Sequence, residues 1–217
     1  MTSSGDSSGR TPAVTVLMSV YNGERYLAES VESILGQTFT DFEFLIVDDG
    51  STDSSREMVE KYAGQDSRIR LLVNEENIGL TRSLNRGIAE ARGKYLARQD
   101  ADDVSLPERL ERQVEYLEGH GETGLVCAGI EVIDESGEPI EQRLPPETDE
   151  AIKSELLIKN HAIWHTTVLV RLDAIRAVDG YDPELPFAQD YDLWWRMGRN
   201  GSFHGMQHIL VKWRDNL

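Results

Sequence analysis

What most constrains this chain is the alternation of two hydrophobic periods in its first hundred residues. VTVLMSV (Val14–Val20) is a continuous apolar, β-branched run, the pattern of a strand covered on both faces. Leu27, Val31, Ile34 and Leu35 then recur at helical spacing, with Glu24, Glu29 and Glu32 on other faces. Residues 42–47 (FEFLIV) form a second buried run, and residues 53–62 read as a helix with Met58, Val59 and Tyr62 inward. Ile69–Val73 is a third strand. Leu80, Leu84, Ile88 and Ala91 lie on one helical stripe that ends before Gly93, and residues 95–97 give a short fourth strand. Repeated strand–helix units imply right-handed crossovers, so the expected class is α/β: a mostly parallel sheet flanked by helices. A chain of 217 residues can build one substantial core, which makes this a single domain.

Beyond residue 104 the alternation loosens. Residues 107–118 read as a helix with Pro107 in its first turn, and residues 125–133 as a strand. Residues 138–149 are charged and contain Pro139, Pro145 and Pro146, the composition of a loop. A strand is expected over 166–170, a helix over 190–198 and a strand over 209–213. The chain stops soon after that strand, so the natural protein is expected to continue. Residues 1–11, Ser/Gly-rich with no apolar side chain between Thr2 and Arg10, read as a disordered leader without the apolar centre of a signal peptide.

Charge narrows the partners. A formal net charge of −17 repels nucleic-acid phosphates, which excludes a nucleic-acid partner. No apolar run approaches the roughly 20 residues of a membrane span, so the expected location is cytoplasmic, with only peripheral contact at the inner face of the membrane. Cys127 is the sole cysteine, lies in an apolar stretch, and reads as a small buried hydrophobe rather than a reactive thiol.

In parallel α/β sheets, ligands bind beyond the carboxyl ends of the strands. Those ends hold Tyr21-Asn22-Gly23, Asp48-Asp49-Gly50, Asn74-Glu75-Glu76-Asn77 and Asp100-Ala101-Asp102-Asp103. Core requirements do not place acids there. In the last motif, carboxylates two residues apart at a strand end supply hard oxygen ligands suited to Mg²⁺ or Mn²⁺, which neutralise a diphosphate. The competing explanation is a capped turn. In Asp48–Asp53, Gly50 permits a tight turn and Ser51 or Thr52 can cap the next helix, yet a turn does not explain two adjacent acids. Asp190-Tyr191-Asp192 opens a helix, where an acid is held ionised and can take a proton from a hydroxyl; a simple N-cap is the alternative.

These motifs, in this order, carry a resemblance to the family-2 glycosyltransferases, inverting enzymes of the Rossmann-like GT-A fold. The carrying segments are SVYNGERYL (19–27), VDDGSTD (47–53), NIGLTRSLNRGI (77–88), GKYLARQDADD (93–103) and AQDYDLWWRM (188–197). The resemblance spans about residues 12–213. It implies a nucleotide-sugar-binding half over 12–103 and an acceptor-binding half over 104–217. It further implies that Ser19 and Tyr21 line the nucleotide pocket, that Asp49 contacts the base, and that Arg82 contacts base or phosphates. Asp100 would handle the nucleotide, Asp102 would be the main ligand of Mn²⁺ or Mg²⁺, and Asp190 would be the catalytic base. The family often writes Glu-Asp where this chain has Gln189-Asp190. The implied partners are a UDP-, dTDP- or GDP-linked sugar donor and a glycan or lipid-linked acceptor.

Two rivals were weighed. A sugar nucleotidyltransferase needs a Gly-rich, basic phosphate loop after the first strand, and Tyr21-Asn22-Gly23-Glu24 is neither. A catalytically silent sugar-nucleotide binding module gains no support, since both the metal acid and the base are present. His161, His165, His204 and His208 read as structural or acceptor-side groups rather than zinc ligands. Of the adjacent Trp194 and Trp195, at most one can face an acceptor.

Overall fold

The structure, a computed structural model, describes residues 11–158, 162–185 and 187–216. The expected leader, Thr11 excepted, and His161 lie outside the described residues. Strands β1 (Val14–Val20), β2 (Phe42–Asp48), β3 (Ile69–Val73) and β4 (Tyr95–Gln99) pair in parallel in the order β3-β2-β1-β4. Helices α1 (Leu27–Leu35), α2 (Ser55–Gln65) and α3 (Leu80–Glu90) make the crossovers. Side chains alternate across β1. Val14, Val16 and Met18 join a core with Leu27, Val31 and Ile34 of α1 and Val59 of α2, while Leu17 joins Leu84 and Ile88 of α3 on the other face. Both faces of β1 are covered, which is why its run is dominated by apolar, β-branched residues.

The second half extends the sheet in mixed sense. Its elements are β5 (Val104–Ser105), α4 (Arg109–Gly119), β6 (Thr123–Ile133), β7 (Pro139–Arg143), α5 (Asp149–Leu156), β8 (Leu169–Arg171), α6 (Leu172–Arg176), α7 (Gln189–Gly198) and β9 (Ser202–Arg214). β8 lies antiparallel between β4 and β6, and β6 pairs in parallel with β9, which carries β5 at its edge. Three expectations are corrected here. Part of the loop over 138–149 is a strand, β7, fully exposed and held antiparallel to β6 by backbone pairing rather than burial. The strand over 166–170 begins later, because His165–Thr167 forms a 3-10 turn from which the Thr167 hydroxyl donates to Trp164 O at 2.8 Å. The helix over 107–118 starts at Arg109, with Pro107 in the preceding turn.

Cys127 sits on β6 with no exposed surface, and burial pushes its thiol up to about 12. The thiolate is the reactive form, so the folded protein should resist iodoacetamide at pH 8 and react at one site per chain once denatured. Rapid alkylation of the native protein would contradict this placement.

Candidate functional site

The carboxyl ends of β1, β2 and β4 meet at one rim. The loop after β1 and the loop after β2 are locked together by short polar side chains. Asn22, in the left-handed region at φ 50°, accepts at Oδ1 from the Thr52 N–H at 2.8 Å and the Asp53 N–H at 3.3 Å. Ser55 accepts from the Gly23 N–H at 2.9 Å, and Asp53 from the Glu24 N–H at 3.1 Å. Gly50 turns at φ 72°, and a Cβ there would stand 2.6 Å from the backbone carbon of Glu76. Gly50→Ala should therefore cost at least about 1–3 kcal/mol. An unchanged denaturation midpoint would show that this loop is not held as described.

Ser19, Tyr21, Asp100 and Asp102 line one cleft of about 400 Å³, together with Asn22, Arg25, Tyr26 and Asn216. The four were expected to act at one site, and the fold brings them together. Asp102 is half-buried, and its pKa is raised first by burial and then by the charge of Asp100. From the far end of the chain, Asn216 Nδ2 donates to Asp102 Oδ2, and the Arg214 Nε–H donates to Asp102 O at 3.0 Å. The buried Arg214 guanidinium also reaches Glu29 at 2.6 Å and lies 4.2 Å from the Tyr26 ring centre. Asp103 points inward, accepts from the Arg214 N–H at 2.9 Å, and has its carboxyl pushed well up by burial. The end of β9 thus fixes the acidic loop.

Asp49 holds its expected position but is nearly inaccessible at 2% exposure. Its carboxylate accepts from Asn74 Nδ2 at 2.7 Å and from the N–H groups of Ile78 and Gly79, each at 2.9 Å. Three of roughly four lone-pair sites are spent holding the approach to α3. Arg82, in the first turn of α3, does not line the cleft. It forms an exposed ion pair with Glu184 at 3.5 Å, on the segment that leads to α7.

Asp190 lies in the first turn of α7 and accepts from the Tyr191 N–H at 2.9 Å. Burial raises its pKa; the N–H donors oppose this, and the charges of Asp100 and Arg98 act on it in opposite senses. Asp190 does not line the cleft that holds Asp100 and Asp102. Nearby, His165 is half-buried and bonded through Nε2 to Tyr181 Oη at 2.6 Å, and desolvation lowers its pKa to about 3, so the ring is neutral. Trp194 meets His165 edge to face at 6.0 Å and is buried, while Trp195 is 38% exposed on a groove of about 410 Å³ between α5 and α7. His204 is stacked on Tyr116 at 4.1 Å. Among the described residues no three His, Cys, Asp or Glu side chains converge on a metal position. One or two carboxylates facing a polar cleft nevertheless fit Mg²⁺ or Mn²⁺, whose shells are completed by phosphates and water.

The sequence places Asn22 and Asn74 at strand ends without a role, and it singles out none of Arg98, Arg214 and Asn216. Arg98 carried a readable signal, a lone charge closing an apolar strand beside three acids. The others act through loop contacts that have no periodic signature.

An open mixed sheet flanked by helices, with acids at its carboxyl rim lining a cleft, is the architecture of a nucleotide-binding α/β protein. The chain belongs to glycosyl transferase family 2, whose profile matches residues 15–179, and it is a glycosyltransferase with a GT-A fold. It is 40% identical over 210 residues to the putative glycosyltransferase EpsE of Bacillus subtilis, covering 94% of this chain and 74% of that one. It is 36% identical to the uncharacterized glycosyltransferase MJ1057 of Methanocaldococcus jannaschii, covering 94% and 71%. Among solved structures, S. aureus TarS 1-349 in complex with UDP-GlcNAc superposes with a TM-score of 0.78 at 21% identity, covering 94% of this chain and 59% of that one. The mannosyltransferase PcManGT of Pyrobaculum calidifontis, in complex with GDP-Man and Mn²⁺, gives 0.71 at 16% identity, with 94% and 57% covered. The chain spans about three quarters of these curated relatives and under two thirds of these solved chains. No helix among the described residues is long and apolar enough to cross a membrane.

Proposed function

We propose that the chain transfers a sugar from a nucleoside-diphosphate donor, UDP-, dTDP- or GDP-linked, to a hydroxyl of a glycan or lipid-linked acceptor, with inversion. One observation carries this: Ser19, Tyr21, Asp100 and Asp102 line a single cleft at the strand ends. Two fold neighbours add weight, since one was solved in complex with UDP-GlcNAc and the other with GDP-Man and Mn²⁺. In this scheme residues 12–103 bind the donor and residues 104–217 the acceptor, at the cytoplasmic face of the membrane.

Ser19 and Tyr21 bound the nucleotide, with Asp49 offering its remaining lone pair to a base N–H. Arg82 stands at the start of α3, where exchange of Glu184 for a phosphate is open to it. Asp102 would hold Mn²⁺ or Mg²⁺, which when bound neutralises the diphosphate. Asp190 takes the proton of the acceptor hydroxyl. That oxygen forms a bond to the anomeric carbon as the bond to the diphosphate oxygen breaks on the opposite side. The electron pair leaves with the nucleoside diphosphate, and the configuration inverts.

The test offers the protein UDP-GlcNAc, GDP-mannose and a dTDP-linked hexose, each with Mn²⁺, Mg²⁺ or EDTA. Melting temperature and nucleoside diphosphate release are measured. At least one donor should raise the melting temperature only with metal present, and should turn over. No response to any donor with either metal would refute the assignment, and a product of retained anomeric configuration by NMR would refute the single displacement.

A further inference from the structure

Arg98 has no solvent exposure and lies on the β4 face that Leu96 shares with Leu17, Val170 and Trp194. A guanidinium in such a layer is costly unless paired and hydrogen-bonded. Its Nη2 donates to Asp100 Oδ1 and its Nη1 to Gln99 O, while Nε has no partner among the described residues. The fork is therefore committed to Asp100 without being saturated. Nor is its work shared by Arg109, a second buried guanidinium nearby. Arg109 spends all its donors on neutral acceptors, namely Gln113 Oε1, Gln99 Oε1, Ser105 Oγ, Arg98 O and Val168 O. Among the described residues Arg98 is the guanidinium that ion-pairs with a carboxylate of the cluster; Arg214 reaches the same loop through Asp102 O and, by its backbone N–H, the Asp103 carboxylate.

The two carboxylates of the motif differ accordingly. That of Asp100, 32% exposed, is gripped from below by Arg98, whereas that of Asp102 is hydrogen-bonded, among the described residues, to the neutral amide of Asn216, and Arg214 bonds its backbone oxygen instead. We propose that Arg98 is a positioning residue that claims Asp100 from beneath the cleft, keeps that carboxylate out of a cation's shell, and leaves Asp102 as the acid that faces the metal. This role rests on the glycosyltransferase reading of the site. It gives the buried charge a job that core stability does not require, since an apolar side chain would fill the same layer.

The sign of one measurement separates this from a merely structural role. Arg98→Met keeps the volume, removes a positive charge near the cation position and frees Asp100 to join the shell. Mn²⁺ alone, titrated calorimetrically into the whole protein, should then bind about tenfold tighter or more. Sugar transfer should meanwhile lose kcat rather than gain KM, because the released Asp100 no longer holds its place. Arg98→Lys, which keeps charge but not the fork, should fall between. Adding Asp100→Asn to Arg98→Met should erase the gain in Mn²⁺ affinity. Unchanged or weaker Mn²⁺ binding in Arg98→Met, with wild type binding normally, would overturn the role while sparing the functional assignment. Should Arg98→Met not fold, Arg98→Lys decides alone: Mn²⁺ affinity equal to wild type counts against the proposal. A wild type that binds no Mn²⁺, with or without UDP, overturns both.

Discussion

Asp190→Asn is expected to slow sugar transfer by about 10²–10⁴-fold while leaving nucleotide-sugar binding intact, because general-base help is what the substitution removes. Asn is nearly isosteric, and its side-chain oxygen can still accept from the Tyr191 N–H, so α7 should begin where it does now. Position and pKa both suit Asp190 to this task. Burial lifts its carboxyl above the ordinary Asp range, and the nearby negative charge of Asp100 adds to the lift while Arg98 opposes it. A raised pKa makes a stronger base, but one that is protonated at higher pH. The transfer rate should therefore fall as pH drops through that raised value, so the acid limb of the kcat profile lies above the ordinary value of about 3.9. The residual rate of Asp190→Asn should lack that limb. Wild-type turnover by the variant, or a limb that persists in it, would move the base elsewhere.

How much of this was readable from sequence depends on what each element buries. β1, β2 and β4 are buried nearly throughout and β3, at the sheet edge, is half-buried; the apolar residues that dominate them marked the runs to within two residues. The rim acids were readable because nothing in a core selects Asp48, Asp49, Asp100 or Asp102 at strand ends. The second half hid for the opposite reason. β7 is exposed along its whole length, so PIEQR shows no alternation, and backbone pairing with β6 alone defines it. β5 is only two residues long. α5 did announce itself, through Thr148 as an N-cap accepting from the Ala151 N–H at 3.3 Å, but the surrounding charges and prolines read as loop. At the site, strand position pointed to Tyr21, Asp100 and Asp102, and the family resemblance added Ser19. What sequence could not give was commitment of donors and acceptors: that Asp49 is mostly spent on the α3 approach, that Arg82 pairs with Glu184, or that Asn216 reaches back to Asp102.

Asp102→Asn should separate stability from function more sharply than any other single change. The folded protein raises the Asp102 pKa, chiefly by burial and then by Asp100, so the folded state holds that proton more tightly than the unfolded chain does. Stability from this group is complete below the ordinary Asp pKa and is lost as pH rises through the raised one, so at neutral pH the ionised carboxylate is a net cost. A neutral amide removes that cost, and its oxygen can still accept from Asn216. The ligand-free variant should melt higher than wild type; a gain of about 1 kcal/mol would be about 2–4 °C for a chain of this size. It should also lose the further shift that Mn²⁺ with UDP gives the wild type. Transfer should fall by about 10³-fold or more in kcat/KM, since a metal that offsets diphosphate charge supplies several kcal/mol at the transition state. The cost in stability and the gain in rate then belong to one carboxylate, the trade expected where a fold gathers like charges for a ligand. A variant that melts lower than wild type and still responds to Mn²⁺ would place the metal on another residue and leave Asp102 as no more than a turn.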